Sequence, residues 1–438
     1  MKFATTISAT VAAAALVAAL AAPVHADPAV PPFYEAAKRI KPDGKLGHIV
    51  KHEEIKTAIP GARAWRIAYV SSDARDVPTI ATGVVVAPTG AAPAGGRPVI
   101  AWAHGTTGTA QNCGPSQMLD PVQELNEYFL VGGDSWTDYG LPSVAALIKA
   151  GNVVVATDYQ GLGGGGRHQY AVATAQAHDA INSVRAAHAM AETGAGRNAI
   201  MYGWSQGGGA TIAAASMGDY IARAGSAADG VSFVGFVAMA PQDAAVLTGG
   251  KALDQAVADK VLAGLINDFS GNVFDFAHFS MNMWGNQAAY PNLKMTDLFT
   301  DEGAKVLDEI YSKKCMHAGS DTISFNYGTG YKALLRPQPV NTLAWVQAIV
   351  DGSVPPVKPV APVVIYWGTK DTTVPPVMGK LYQAQMCKLG GNVTRVQLPG
   401  EQSHFTTPGS AAPLYQAWMK DRLAGVPVAD GCAGLTPN

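Results

Sequence analysis

The sequence has little charge and no long run of one sign. Of its 438 residues only 15% are charged, and the formal net charge is −2 at pH 7. A surface that binds nucleic acid through its phosphates needs clustered lysine and arginine side chains, and the sequence has no such cluster. The composition therefore argues against a nucleic-acid partner.

Spacings typical of metal and cofactor sites are also lacking. No H-E-x-x-H pair or comparable ligand spacing occurs, so we expect no metal. The glycine-rich segment 161–166 formally matches the dinucleotide-binding pattern G-x-G-x-x-G. However, Asp158, Tyr159 and Gln160 separate it from the preceding strand, and the next helix begins later than that pattern requires. We interpret this segment as a loop and expect no cofactor.

Long apolar runs are confined to the N-terminus. Residues 1–26 contain Lys2, an alanine-rich apolar stretch and the small-residue ending Val24-His25-Ala26, which is typical of a secretory signal peptide. A membrane anchor would need about 20 apolar residues and stronger flanking charge. We predict cleavage after Ala26, a secreted or periplasmic location, and no integral membrane segment in the mature chain.

Cysteine is rare, with four residues at Cys113, Cys315, Cys387 and Cys432. An even number in an exported chain favours two disulfides over free thiols, and the spacings match no zinc site. Three pairings are possible, and these considerations do not choose among them.

The sequence is rich in apolar residues, which make up 48% of the chain and suffice for a large core. Residues 27–62 are polar and punctuated by prolines, so we expect them to wrap the surface. The strand-like runs 65–72 and 79–88 predict an antiparallel hairpin. From residue 98 to residue 241, strands rich in β-branched residues alternate with helices, which indicates a parallel sheet built from βαβ units.

The alternation ends after residue 241. Segments such as 279–290 have helical spacing, and no convincing strand precedes the proline-rich segment 355–362. We therefore predict an α/β core formed by residues 27–241 and 359–438, with a helical cap, residues 242–358, inserted between its two parts.

One short motif points to chemistry. The strand 198–203 runs into GWSQG, Gly203 to Gly207, which fits the G-x-S-x-G nucleophile elbow, a sharp strand-to-helix turn that exposes a serine hydroxyl. A chain with 48 glycines meets this pattern easily by chance. The assignment of Ser205 as a nucleophile therefore needs support from other segments.

That support comes from two later strand ends. An acyl-transferring serine needs a base and a group that orients the base. Asp371 follows the strand at 363–368, and His404, the only histidine after Asp371, follows the strand at 393–400. Each residue alone has an ordinary explanation, a turn-capping aspartate or a loop histidine. The order Ser205, Asp371, His404 over three strand ends predicts the catalytic triad of an α/β-hydrolase fold.

Ester hydrolysis also needs donors for the developing oxyanion. The first predicted donor is the backbone N–H of Gln206, which follows the nucleophile at a helix start. The second is expected where the strand VIAWA ends, from Thr106 or Thr107. His104 lies at the same strand end, and we expect it to hold its loop by hydrogen bonds rather than to act as the base.

Five segments resemble one family when they are taken together. AWAHGTTGTAQNCGPS, DYQGLG, GWSQGG, GTKDTTVPP and SHF occur in this order, with a helical insertion before the acid. They resemble the secretory lipase family of α/β-hydrolases, bacterial members especially, over nearly the whole mature chain. The resemblance implies triacylglycerol lipase or carboxylesterase activity on a small-molecule or lipid ester, no cofactor, and a cap over the site. It also implies the disulfides Cys113–Cys315 and Cys387–Cys432.

The chain departs from the better-known fungal members of that family. The sequence HGTT at 104–107 stands where they have an acidic residue, and Trp204 and Gln206 differ from their elbow. These differences leave the preference for long-chain lipids open. The alternatives are a short-chain, aryl or polyester esterase, a deacetylase or a peptidase on the same fold, and, outside enzymes, a catalytically silent binding protein.

Overall fold

The computed structural model describes residues 31–118, 120–124, 140–244, 248 and 251–435. The predicted signal peptide, residues 1–26, lies outside them. The strands are β1 (Ile49–Ile55), β2 (Ala62–Ser72), β3 (Pro78–Pro88), β4 (Arg97–Ala103), β5 (Val153–Thr157), β6 (Ala195–Trp204), β7 (Ser232–Met239), β8 (Val363–Trp367) and β9 (Val393–Gln397). The α-helices are α1 (Pro32–Ala37), α2 (Val144–Lys149), α3 (Ala173–Ala189), α4 (Gln206–Ala215), α5 (Gly218–Ile221), α6 (Gln255–Asp268), α7 (Val273–Ala289), α8 (Asp301–Tyr311), α9 (Met316–Tyr327), α10 (Thr342–Asp351), α11 (Val377–Lys388) and α12 (Thr407–Leu423).

The described strands form one sheet in the order β1-β2-β3-β5-β4-β6-β7-β8-β9. Strands β1, β2 and β3 pair antiparallel, as do β3 and β5. Every neighbouring pair from β5 to β9 is parallel. The predicted fold class, a mostly parallel sheet with flanking helices, is confirmed.

The sheet is apolar on both faces because helices cover both. All five residues of β5 are buried, and four of them are valine or threonine, whose branched side chains pack well on a pleated surface. Helices α3 and α4 pack in the apolar layer on one face, and α2 and α12 pack in the layer on the other. Because the neighbouring strands from β5 to β9 in the sheet order are parallel, their carboxyl ends lie at the same edge of the sheet.

The N-terminal segment differs from the prediction. Residues 27–62 were expected to wrap the surface, but they contain α1 and the edge strand β1. Strand β1, IVKHEEI, has no fully buried residue, because an edge strand has a neighbouring strand on one side only. Charged side chains on such a strand discourage pairing with other chains. Its polar pattern therefore resembled that of a loop.

Between β7 and β8 the chain forms helices α6 to α10, and no strand occurs among the described residues of this segment. These helices have an apolar cluster of their own, with Phe276, Leu307 and Trp345 fully buried in it. Nowhere in the described chain is a helix both long and apolar enough to cross a membrane. The boundaries of the cap at residues 242 and 358 stay a prediction.

Two disulfides connect distant segments. Cys113–Cys315 joins the loop after β4 to the helical segment, and Cys387–Cys432 joins α11 to the C-terminal segment. These are the two pairs that the family resemblance implied. No described cysteine is free.

Candidate active site

Ser205 occupies the turn between β6 and α4. Its backbone has φ 58° and ψ −119°, a conformation that is costly for a residue with a side chain. The Ser205 N–H donates to the carbonyl oxygen of Met239 at 3.0 Å, which ties the turn to the end of β7. The strained turn lifts the serine side chain above the carboxyl edge of the sheet.

The glycines on either side of this turn have a packing reason. A Cβ on Gly203 would lie 2.2 Å from the Gly207 carbonyl oxygen, and one on Gly207 would lie 1.9 Å from the Ala103 carbonyl oxygen. Any side chain at either position would overlap the backbone. The G-x-S-x-G pattern therefore reflects the close approach of α4 to β4 and β6.

The three residues predicted to form the triad lie together at this edge. His404 Nε2 lies 2.9 Å from Ser205 Oγ, and His404 Nδ1 lies 2.8 Å from Asp371 Oδ2. Asp371 Oδ1 accepts the backbone N–H groups of Thr373 and Val374 at 3.0 and 2.8 Å. Because the fixed carboxylate accepts a hydrogen bond from Nδ1–H, the lone pair of a neutral ring lies on Nε2, which can accept from the serine hydroxyl. All three side chains are buried.

Trp204 holds the imidazole from the side. Its indole N–H donates to the His404 carbonyl oxygen at 3.1 Å, and the two ring centroids are 4.8 Å apart. A Cβ on Gly105 would lie 2.5 Å from the same indole, so the loop after β4 also contacts it. Trp204 therefore contacts both the loop after β4 and the loop that carries His404.

The predicted oxyanion donors lie around the same turn. Gln206 is the first residue of α4, so its N–H has no acceptor within the helix. Thr106 and Thr107 are buried beyond the end of β4. The Thr106 hydroxyl is hydrogen-bonded to the Tyr170 hydroxyl at 2.8 Å, and the Thr107 carbonyl accepts the Met316 N–H at 3.0 Å. Both threonines stay candidates for the second donor.

A buried histidine that sequence analysis missed contacts the first donor. The Gln206 side-chain amide lies 3.2 Å from His168 Nε2, and His168 Nδ1 lies 2.8 Å from the Gln160 carbonyl oxygen. Burial lowers the pKa of His168 to about 3, so the ring is neutral, donates through Nδ1 and accepts through Nε2. The Gln160 N–H in turn donates to Asp179 at 2.8 Å.

His104 lies where it was expected, at the end of β4. Its Nδ1 is 2.6 Å from the Gly105 carbonyl oxygen, and its Nε2 is 3.2 Å from the Asp158 carbonyl oxygen. Burial lowers its pKa to about 4, so it is neutral and donates through one nitrogen only. The shorter contact indicates Nδ1 as the donor, which fits the loop-holding role expected of it.

Comparison with known proteins assigns the chain to a family. The sequence profile of the family described as secretory lipase matches residues 134–431, well over half of the chain. The chain belongs to the secretory lipase family. It is therefore a carboxylic ester hydrolase of the lipase and esterase class. No curated protein is similar enough in sequence to be matched to it.

Solved structures agree in fold with this member of the secretory lipase family. A ligand-bound form of the rice cell wall degrading esterase LipA from Xanthomonas oryzae is 18% identical, with a TM-score of 0.64, and the match covers 87% of this chain and 100% of LipA. For Candida antarctica lipase A the identity is 16%, the TM-score 0.68 and the coverage 94% and 90%. A putative hydrolase from Legionella pneumophila is 14% identical, with a TM-score of 0.62 and coverage of 87% and 100%. At these identities the likeness shows the fold, and the α/β-hydrolase prediction is confirmed.

A cavity of about 80 Å³ opens in front of Ser205, between the core and the helical segment. Much of its lining is apolar and includes Leu265, Phe269, Phe279, Met283 and Val374. Such a lining suits the apolar part of an ester. No group of three or more metal-ligating side chains lies close enough to hold an ion in the described part of the chain.

Proposed function

We propose that this secretory lipase family member is an exported serine ester hydrolase that works through an acyl-enzyme on Ser205. One observation carries the proposal, the continuous hydrogen-bonded chain from Ser205 Oγ through His404 to Asp371. Such a chain activates a serine only if the base is neutral and correctly oriented. The carboxylate of Asp371, itself fixed by two backbone N–H groups, supplies that orientation.

In the proposed reaction Ser205 Oγ attacks the ester carbonyl carbon while His404 Nε2 accepts the proton of the Ser205 hydroxyl. Asp371 stabilises the resulting imidazolium, which then protonates the leaving alcohol. The N–H of Gln206 and that of Thr106 or Thr107 stabilise the tetrahedral oxyanion. Water then attacks the acyl-enzyme, with His404 again as the base, and releases the acid.

Export and the role of the helical segment belong to the same proposal. Two disulfides and membership of a secretory family support an oxidising location outside the cytosol. Residues 1–26 would then be the cleaved signal peptide. The segment 242–358 would be the cap, since residues of α6, α7 and α10 line the cavity in front of Ser205.

The decisive experiment is Ser205→Ala with a fluorophosphonate probe. We expect kcat for ester hydrolysis to fall by about 10⁴-fold or more and labelling to disappear, with an unchanged unfolding temperature. The control is Ser312→Ala, because Ser312 is exposed at the end of α8, and this variant should keep both activity and labelling. Normal turnover by Ser205→Ala would rule out the mechanism.

A panel of esters separates the remaining candidates within the class. Triacylglycerols with long acyl chains, acetate and butyrate esters, aryl esters, polyesters, acetylated sugars and peptides are compared by kcat/KM. A steep preference for acetate and butyrate esters would identify a short-chain esterase rather than a lipase. If no ester were hydrolysed and no probe bound, the proposed serine mechanism would fail and the alternative of a catalytically silent fold used for binding would be revived.

A further inference from the structure

Helix α7 places three polar side chains, beside Phe279 and Met283, on the cavity that contains Ser205. Asp275, His278 and Asn282 all line this cavity and are half-buried. Their spacing of three and four residues places them on one side of the helix. The neighbouring residues Phe276 and Met281 are instead buried in the apolar cluster of the helical segment. Polar groups in a largely apolar cavity need a partner when a ligand excludes water.

His278 supplies a hydrogen-bond acceptor. Its Nδ1 lies 2.9 Å from the carbonyl oxygen of Phe274, one turn earlier in α7. Burial, aided by nearby His404, lowers the pKa of His278 to about 4, so the ring is neutral and its single proton lies on Nδ1. Nε2 therefore carries a lone pair, and no described residue donates to it.

Asn282 supplies a donor beside that acceptor. The side-chain nitrogen of Asn286 donates both to the Asn282 backbone carbonyl at 3.0 Å and to its side-chain oxygen at 2.8 Å. Because a backbone carbonyl can only accept, this pair of contacts fixes which side-chain atom of Asn282 is oxygen. Its Nδ2 remains a donor, and no described residue accepts from it.

An acceptor and a donor one helical turn apart, with Cβ atoms about 5–6 Å from each other, match the two functions of a hydroxyl group. The hydroxyl hydrogen would be donated to His278 Nε2, and the hydroxyl oxygen would accept from Asn282 Nδ2. Asp275, whose carboxylate accepts the Asn272 amide at 2.6 Å, adds a further acceptor on the same face. A hydrocarbon chain in this position would leave these groups without partners.

We propose that His278 and Asn282, with Asp275, form a subsite for a hydroxyl group of the substrate, so that hydroxylated esters are preferred over plain ones. This inference rests on the proposed role of Ser205, because the subsite matters only in an ester held at that residue. The hydroxyl belongs either to the acyl group, as in a hydroxyacid ester, or to the alcohol, as in a glycerol ester.

Three matched substrates test the proposal, namely ethyl butyrate, ethyl 3-hydroxybutyrate and glycerol monobutyrate. We expect kcat/KM of the wild-type protein to be about tenfold higher for at least one hydroxylated ester than for ethyl butyrate. Preference for ethyl 3-hydroxybutyrate assigns the hydroxyl to the acyl side, and preference for glycerol monobutyrate assigns it to the alcohol side.

Variants tie the preference to α7. His278→Leu and Asn282→Leu should each bring the ratio of kcat/KM for the hydroxylated ester to kcat/KM for ethyl butyrate close to one, whatever their effect on ethyl butyrate alone. His278→Gln, whose side-chain oxygen reaches the position of Nε2, should keep much of the preference. The control is Asn267→Leu, because Asn267 is an exposed residue of α6 that does not line the cavity, and it should leave the ratio unchanged.

Titration of Ser205 with a fluorophosphonate shows how much of each variant is folded and active, so kcat is expressed per labelled site. Equal kcat/KM for all three esters in the wild-type protein, or an unchanged ratio in His278→Leu, would overturn the subsite and leave ester hydrolysis standing. Absence of hydrolysis and of labelling in the wild-type protein would overturn the proposed function itself, and the subsite with it.

Discussion

The two sides of the candidate site differ in how their polar groups are satisfied. On the sheet side Asp371, His404 and Ser205 are bonded to one another and held by backbone groups. On the cap side His278 and Asn282 each make a hydrogen bond within α7, through Nδ1 and the side-chain oxygen respectively. Their remaining side-chain nitrogens, Nε2 and Nδ2, have no partner among the described residues. The sheet side is arranged for reaction before substrate arrives. If the proposed subsite is correct, a bound substrate completes the hydrogen bonding of the cap side, and chemistry and selectivity lie on separate sides.

The two sides are nevertheless joined close to the predicted oxyanion donors. The Thr107 carbonyl accepts the Met316 N–H at 3.0 Å, and the Thr109 hydroxyl donates to the Tyr311 carbonyl at 2.6 Å. The disulfide Cys113–Cys315 lies next to the first contact, where Gly108 and Cys315 form an isolated β-bridge. The loop that is expected to stabilise the oxyanion is therefore also the attachment point of the proposed cap.

The largest expected effect comes from breaking this attachment with Cys113→Ala/Cys315→Ala. The two cysteines are 202 residues apart, and the chain-entropy model gives a loss of about 5 kcal/mol in the free energy of unfolding. Urea unfolding measures this loss. We also expect kcat for ester hydrolysis to fall about tenfold, because Thr107 loses the support of the cap, whereas loss of a whole donor costs about 10²–10³.

The matched control is Cys387→Ala/Cys432→Ala, whose cysteines are 45 residues apart. The same model gives a loss of about 4 kcal/mol for this pair. Because it joins α11 to the C-terminal segment, it should leave kcat per folded molecule unchanged. If both double variants lost kcat equally, the coupling between the cap and the oxyanion loop would be wrong.

The second effect concerns Asp179, a buried carboxylate of α3 that accepts the Gln160 N–H. Burial, with a contribution from Asp73, raises its pKa from 3.8 to about 7. Between about pH 4 and pH 7 the unfolded aspartate has lost its proton while the folded one keeps it. The free energy of unfolding therefore decreases as pH rises through this window and is level above it. The shift sets an upper limit of about 4 kcal/mol.

Asp179→Asn should remove this decrease in the free energy of unfolding, because an asparagine side chain does not titrate. The hydrogen bond is kept, because the asparagine oxygen can still accept the Gln160 N–H. Urea unfolding of both proteins from pH 4 to pH 8 measures the difference. Buried neutral histidines such as His104, whose pKa is lowered to about 4, make the free energy of unfolding increase with pH. This contribution is the same in both proteins and cancels in the comparison. The exposed Asp219 provides a control, and Asp219→Asn should keep the wild-type slope. A slope in Asp179→Asn equal to that of the wild type would contradict the raised pKa.

The sequence is most informative where local pattern and chain direction coincide. Ser205, Asp371 and His404 each follow a strand with strong β character, and parallel strands bring such ends to one edge, so their proximity could be predicted. Strand β1 could not be recognised, because edge position rather than sequence pattern makes IVKHEEI a strand. The second oxyanion donor stays open, since two adjacent threonines fit the same loop.

Contacts between distant segments leave no local pattern. His168 approaches Gln206 only because the loop after β5 returns to the elbow, and nothing in the spacing of the two residues indicates this. His278 and Asn282 lie in a helical segment of the sequence. Its periodicity is as consistent with burial of these residues inside the cap as with a position on the cavity. Which face of α7 meets the cavity depends on how the helices pack together, and this cannot be read from α7 alone.

The smallest expected effect tests the contact that the sequence did not reveal, through His168→Asn. The asparagine amide reaches the position of Nδ1 and can still donate to the Gln160 carbonyl, but it no longer accepts from the Gln206 side chain. With that side chain unanchored, the Gln206 N–H at the start of α4 points less accurately at the oxyanion. We expect kcat to fall about tenfold, less than the loss of a whole donor, with KM nearly unchanged.

His168→Gln restores an acceptor at the position of Nε2 and should recover much of the lost kcat. His178→Asn is the control, because His178 is also buried, lies 3.0 Å from the Asp73 carbonyl oxygen through Nδ1 and has a pKa lowered by burial to about 4. A general loss of stability would affect both histidine variants alike. A fall in kcat confined to His168→Asn indicates support of the oxyanion, whereas equal effects at both positions would reduce His168 to a packing residue.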